Sequence, residues 1–95
     1  MNNNTTLQLI ISGKVQGVSY RAWFRSAAEN LGITGWVRNL SNGNVEALIT
    51  GPHDKIEELI NSAYKGSAYS DVAHIDISEQ ESYNVPCEFE IWASK

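Results

Sequence analysis

Apolar positions recur along the chain with two periods, and the switches between them divide it into alternating strand-like and helix-like stretches. Over residues 6–12, Leu7, Leu9 and Ile11 share one parity and Gln8, Ile10 and Ser12 the other, as in a central strand with one strongly apolar face. After Arg21 the period lengthens: Phe24, Ala27, Ala28 and Leu31 fall at i, i+3, i+4 and i+7, the buried stripe of an amphipathic helix, and Gly32 supplies a left-handed stop. A strand over 35–40 follows. Asn42-Gly43 then predicts a tight type I′ hairpin, whose two central residues both need positive φ. In the returning strand, Val45, Ala47 and Ile49 alternate with Glu46, Leu48 and Thr50 before Gly51-Pro52 ends it. The next helix has Asp54, Glu57 and Glu58 near its start, Lys65 at its end and a stripe of Ile56, Leu59, Ile60, Ala63 and Tyr64, with His53-Asp54 read as its cap and Gly66 as its close. A fourth strand over 72–78 places Ala73, Ile75 and Ile77 on one face. A polar connection over 79–86 leads to a last strand in which Cys87, Phe89 and Ile91 alternate with Glu88 and Glu90, with Cys87 expected as a small buried hydrophobe.

Length bounds this pattern to one domain over residues 1–95 and one core. Residues 1–5, rich in asparagine, are expected to be flexible. A single cysteine allows no intrachain disulfide and no zinc site of the multiple-cysteine kind. No basic run followed by an apolar core marks an export signal, and no stretch approaches the roughly 20 apolar residues of a membrane span. A soluble, cytoplasmic protein without membrane association is expected. The formal net charge of -4 argues against nucleic acid as a partner, since non-specific binding there needs a basic surface that displaces counterions. An anion site would have to work through local positive potential. Lys14, Arg21, Arg25 and Arg38 place four of the seven basic residues close together in sequence.

The stretch that bears on this is Gly13-Lys14-Val15-Gln16-Gly17-Val18-Ser19-Tyr20-Arg21, which joins the first strand to the first helix. A helix starting near Tyr20 or Arg21 turns its unpaired N–H groups and the positive end of its dipole toward the loop. Gly13 and Gly17 let the backbone double back so that successive N–H groups converge on one small anion. Arg21 adds a planar fork of donors suited to phosphate or carboxylate. The same residues would also suit an ordinary glycine-containing connection with a surface arginine, and the loop by itself does not separate the two readings.

A second stretch, Gly35-Trp36-Val37-Arg38-Asn39 with Gly43, Val45 and Gly51 beyond it, changes the balance. Taken together, the two stretches resemble the acylphosphatase family. The first matches its pattern Gly-x-Val-Gln-Gly-Val-x-(Phe/Tyr)-Arg at every fixed position, and the second matches its glycine, aromatic, basic and Asn positions in order. Strand, helix, strand, strand, helix, strand, strand is the order of two split β-α-β units plus a C-terminal strand. That order gives an α+β, ferredoxin-like sandwich, an antiparallel sheet with both helices on one face. The resemblance implies the same fold. It further implies hydrolysis of the carboxyl-phosphate bond of a small-molecule acyl phosphate by a free-standing monomer, with no cofactor and no metal. Arg21 would bind the phosphate with the 13–20 loop, through Val15, Gln16, Gly17, Val18, Ser19 and Tyr20, and Asn39 would orient the attacking water. An amide can do this, having both donor and acceptor capacity, but cannot act as a base.

Other constellations weigh less. His74 and Asp76 share a strand face but lack a third ligand, so they make a poor metal site. Arg38 points to the sheet face opposite Asn39 and is expected as a surface charge, and Trp23 as an edge-packed aromatic. The alternative to an enzyme is a non-catalytic phosphate-binding regulatory module on the same fold, since this sandwich hosts many functions.

Overall fold

The computed structural model describes residues 4–81 and 85–95. Among them the elements follow in the order β1 (Asn4–Lys14), α1 (Tyr20–Asn30), β2 (Thr34–Asn39), β3 (Val45–Pro52), α2 (His53–Lys65), β4 (Asp71–Glu79) and β5 (Phe89–Ile91). The strands form one sheet in the order β4-β1-β3-β2-β5. Parity decides its faces: Leu9, Ile11, Val37, Val45, Ala47, Ile49, Ile75 and Phe89 form one buried cluster with Phe24 and Ala28 of α1 and Ile56, Leu59 and Ala63 of α2. Both helices therefore cover the same face, as the α+β, ferredoxin-like order predicts. On the opposite, open face, Gln8 Nε2 donates to Glu46 Oε2 at 2.6 Å and Arg38 Nε donates to Glu46 Oε1 at 2.7 Å. The Arg38 guanidinium lies 4.8 Å from the ring centre of Trp36, and Trp92 stacks on that ring at 4.4 Å.

The expected antiparallel sheet acquires one parallel pair, β2 with β5. β4 runs antiparallel to β1 and ends beside the start of β1, so the next strand must run in the direction of β1. The free edge is β2, which also runs in that direction, because β3 is antiparallel to both.

The hairpin between β2 and β3 differs from the two-residue type I′ turn. Asn39 pairs with Val45, Leu40 N–H donates to Asn44 O at 2.8 Å, and residues 41–43 form the loop, with Gly43 N–H returning to Leu40 O at 3.2 Å. Gly43 has φ 94° whereas Asn42 stays at negative φ and accepts the Asn44 N–H on its side-chain oxygen. This is a turn closed by one left-handed residue. The core demands it: a two-residue loop would pair odd positions of β2 with even positions of β3, placing Val37 on the face opposite Val45, Ala47 and Ile49.

Several ends also move. β1 includes Asn4 and Thr5, paired with Pro52 and Gly51, in place of the flexible lead expected for residues 1–5, of which 1–3 lie outside the described residues. The expected polar connection over 79–86 loses residue 79 to β4, and 82–84 lie outside the described residues. α2 begins at His53 with Pro52 before it, and no side chain caps it. His53 instead meets Thr5 Oγ1 and Glu57. In β4 the register slips opposite Ser12/Gly13, so Val72 rather than Ala73 packs against the core. Cys87 is exposed and precedes β5, contrary to the buried strand position expected for it. The end of α1 behaves as predicted: with Gly32 at φ 70°, Gly32 N–H reaches Glu29 O and Ile33 N–H reaches Ala28 O, which satisfies the last carbonyls.

Tyr20 ties the two helices together. Its ring is buried beside Phe24, and its hydroxyl donates to Ala63 O at 2.8 Å near the end of α2. Burial pushes the phenol above its ordinary value of 10.0. Tyr20→Phe is expected to lower stability at pH 7 by about 1–2 kcal/mol, read by urea unfolding, because a buried carbonyl loses its donor. Above about pH 10 the unfolded chain releases a proton that folded Tyr20 retains, so wild-type stability falls as pH rises there, and the Phe protein should show a shallower decline.

Candidate active site

At the end of β1 the chain makes a turn that only particular residues permit. Gly13 has φ 116°, and a Cβ there would collide with the Asp71 carbonyl and sit 2.6 Å from the Ala73 nitrogen, so the slip in β4 and the glycine belong to one feature. Gly17 follows at φ 72°, and Ser19, at φ 61° and ψ 23°, is left-handed despite carrying a side chain. The loop is held at both ends by buried Val15 and Tyr20, and between them Ser67 Oγ donates to Val18 O at 2.9 Å. Ser70 Oγ in turn donates to Ser67 O, so the loop after α2 buttresses this one.

The consequence is a row of free donors. Among the described residues, the backbone N–H groups of residues 15–19 donate to no protein acceptor, and the first amide of α1 to be satisfied is that of Trp23, by Ser19 O. No acidic residue lies in the first turn of α1 to offset the positive end of its dipole. Arg21, half-buried in that turn, makes no ion pair among the described residues. It opens onto a cavity of about 350 Å³ lined by Val15, Gly17, Ser19, Tyr20, Ala22 and, from β5, Ile91.

Asn39 occupies the last position of β2 and has the parity of Gly35 and Val37, so it faces the side covered by the helices. Its Oδ1 is buried and has no hydrogen-bond partner among the described residues. Its backbone carbonyl accepts the N–H of Lys95 at 2.9 Å, so the segment after β5 supports the strand end. Gln16 brings this strand to the loop: its amide nitrogen donates to Leu40 O and to Asn44 O, each at 2.8 Å. Gln16 thus ties the loop to the end of β2, while Asn39 is not among the residues that line the cavity at Arg21. Nothing in the sequence pattern pointed to Ser67, Ser70, Ile91 or the Lys95 amide. Their contributions are long-range contacts made by ordinary residues.

The positive potential is more local than the sequence suggests. Arg25 approaches Glu29 at 3.6 Å on the surface of α1, and Arg38 is bound to Glu46 on the open sheet face, which leaves Arg21 and exposed Lys14 near the loop. His74 and Asp76 contact each other at 2.8 Å in the open, and among the described residues no three His, Cys, Asp or Glu side chains are grouped to hold a metal ion. A larger cavity of about 580 Å³, bordered by Thr6, Thr34, Thr50 and Gln80, lies at the opposite end of the sheet and contains no cationic side chain. No helix among the described residues is long and apolar enough to cross a membrane.

With this geometry in view, the likeness to known proteins is specific. The family model for acylphosphatase matches residues 7–91. A protein from Alcanivorax borkumensis named acylphosphatase is 44% identical over 75 residues, which are 79% of this chain and 82% of that one. Another from Rhizobium etli, with the same name, is 39% identical over 90 residues, 95% of this chain and 96% of that one. The crystal structure of acylphosphatase from Bacillus subtilis superposes with a TM-score of 0.87 at 31% identity, covering 92% of this chain and 97% of that one. The match takes in both the donor loop and the strand that ends in Asn39, and the chain belongs to the acylphosphatase family.

Proposed function

We propose that the chain hydrolyses the carboxyl-phosphate bond of a small-molecule acyl phosphate, in the cytoplasm and as a monomer, to release a carboxylate and inorganic phosphate. The observation that carries this reading is the buried, unpartnered Oδ1 of Asn39 on the strand that Gln16 ties to the donor loop. A buried acceptor without a donor costs about 1–3 kcal/mol, which a purely anion-binding module has no reason to keep. Asn39 Oδ1 accepts a hydrogen from the attacking water and thereby aims a water lone pair at phosphorus. The N–H groups of residues 15–19, the N-terminus of α1 and the Arg21 fork hold the phosphoryl oxygens and offset the charge spread over them.

No strong base is needed. The phosphoryl group is transferred through a loose transition state, so positioning and charge stabilisation supply most of the acceleration. Water adds to phosphorus as the P–O bond to the acyl group breaks; the bonding pair leaves with the carboxylate, and a phosphoryl oxygen takes the proton lost by the water. A carboxylate is stable enough to depart without a general acid. The loop, Arg21, Asn39 and the substrate's own phosphoryl oxygen account for every step, so the scheme uses no metal.

The experiment is release of carboxylate and phosphate from an aryl acyl phosphate by the purified protein, with a chelator present. The chelator should leave the rate unchanged, and a rate abolished by it would overturn the metal-free scheme. Asn39→Ala is expected to lower kcat by about 10²–10³ while inorganic phosphate still inhibits, since the anion's donors remain. An Asn39→Ala protein with normal turnover would remove the water-orienting role. Arg21→Ala and Arg21→Lys should both lose at least about 10² in kcat/KM, because a point charge does not replace a planar fork. A fully active Lys protein would show that charge alone suffices at this position. If the wild-type protein binds phosphate and turns over no acyl phosphate, the regulatory-module reading takes the place of the enzyme.

A further inference from the structure

The two halves of the proposed site stand on different elements. The phosphate donors belong to the loop and to α1, whereas Asn39 ends β2, and in-line attack requires the two to be held within about 0.5 Å of the productive arrangement. Among the described residues, one side chain joins them by hydrogen bonds. Gln16 Nε2 donates to Leu40 O and Asn44 O at 2.8 Å each, and those two residues are themselves joined by the Leu40 N–H to Asn44 O bond that closes the hairpin neck. Leu40 directly follows Asn39. Gripping its carbonyl fixes the Leu40–Ser41 peptide just past the strand, and with the Leu40 N–H held by Asn44 O this limits how the backbone at Asn39 can turn.

We infer that Gln16 is a positioning residue: its side chain sets Asn39 relative to the phosphate loop and does not contact substrate, while its backbone N–H remains among the anion donors. This rests on the reading of Asn39 as the residue that orients water. Both amide hydrogens of Gln16 are already committed to main-chain carbonyls, so the side chain has no hydrogen left for a phosphoryl oxygen. The residue type is specific to the task. A primary amide presents two hydrogens that diverge toward two carbonyls, a carboxylate of the same length would put oxygen against oxygen, and methionine has the length without the donors.

The test is a double-mutant cycle of Gln16→Met and Asn39→Ala, followed by kcat and KM for an aryl acyl phosphate and by inhibition with inorganic phosphate. Gln16→Met should lower kcat about 10-fold to 100-fold, as expected for a displacement near 1 Å, and leave KM and phosphate inhibition within about 2-fold. In the Asn39→Ala background the same substitution should cost less than about 2-fold in kcat, because the group being positioned is gone. A residue serving only to stabilise the fold would lower the thermal midpoint without this non-additivity. Equal losses in both backgrounds would overturn the inference, and so would a rise in KM and in the phosphate inhibition constant at unchanged kcat, the signature of a substrate contact. If the Met protein does not fold, Gln16→Leu removes both donors without adding charge to the anion loop and is read in the same cycle. Failure of the underlying reading looks different. A normal Asn39→Ala protein overturns the role of Asn39 itself, whereas a slow one with an additive cycle overturns only its link to Gln16.

Discussion

The connection from β1 to α1 is short and pinned at both ends by side chains that the core will not release. Val15 and Tyr20 are almost wholly buried, and Tyr20 is also bonded across to α2, so residues 15–19 must reverse the chain between two fixed points. Among the described residues no strand pairs with this stretch to receive its N–H groups, and Gly17 and Ser19 take left-handed conformations within it. An array of unpaired donors in front of a helix N-terminus is the result of that packing. Tyr20 thus serves fold and site together: the ring that joins the helices is also the first residue of the helix whose start faces the anion.

Much of this was legible because the periods are strong. Leu9 and Ile11 against Gln8 and Ile10, or Val45, Ala47 and Ile49 against Glu46 and Leu48, allow only one sidedness, and the helix stripes are equally plain. What was hidden is whatever depends on a partner strand. Asn42-Gly43 looks like a two-residue turn until the parity of Val37 against Val45 is imposed, and the parity requires an odd loop. Ala73 looks like a core position until Gly13 brings its backbone against Asp71 and pushes Val72 inward. Cys87 continues the alternation of Phe89 and Ile91 on paper, yet no strand of the sheet reaches far enough to pair with it. In each instance local pattern yields to a constraint set by a neighbouring strand.

The candidate site divides in the same way. Arg21 and Asn39 could be named from the sequence, since their chemistry is in their side chains and their spacing matches a family pattern. Of their supports, Gln16 could be named as a pattern position, but not what it holds, and Ser67 could not be named at all. Gln16 bonds to residues 24 and 28 positions away, and Ser67 to one 49 positions away, all through main-chain carbonyls that any residue type supplies. A pattern records donors that must be of one kind. It leaves no trace of the acceptors.

The loop also departs from the rules that the rest of the chain obeys. Ser19 is the one described residue other than glycine at positive φ, which costs of order 1 kcal/mol, and Asn39 Oδ1 is the one described buried side-chain polar atom without a partner. Elsewhere the structure resolves its polar groups with care, as where Glu46 on the open face accepts from both Gln8 and Arg38. Local conflicts that survive in an otherwise consistent fold are expected at functional sites. Here they coincide with an electrostatic economy. A chain of net charge -4 holds Arg25 and Arg38 against its own carboxylates, while among the described residues Arg21 makes no ion pair and the first turn of α1 holds no acidic residue. With a screening length near 8 Å at physiological salt, a phosphoryl group in the loop responds to those few nearby donors far more than to the acidic surface beyond them. The protein can therefore be acidic as a whole and attractive to an anion at one point, because the N–H groups that do the attracting carry no net charge to be counted.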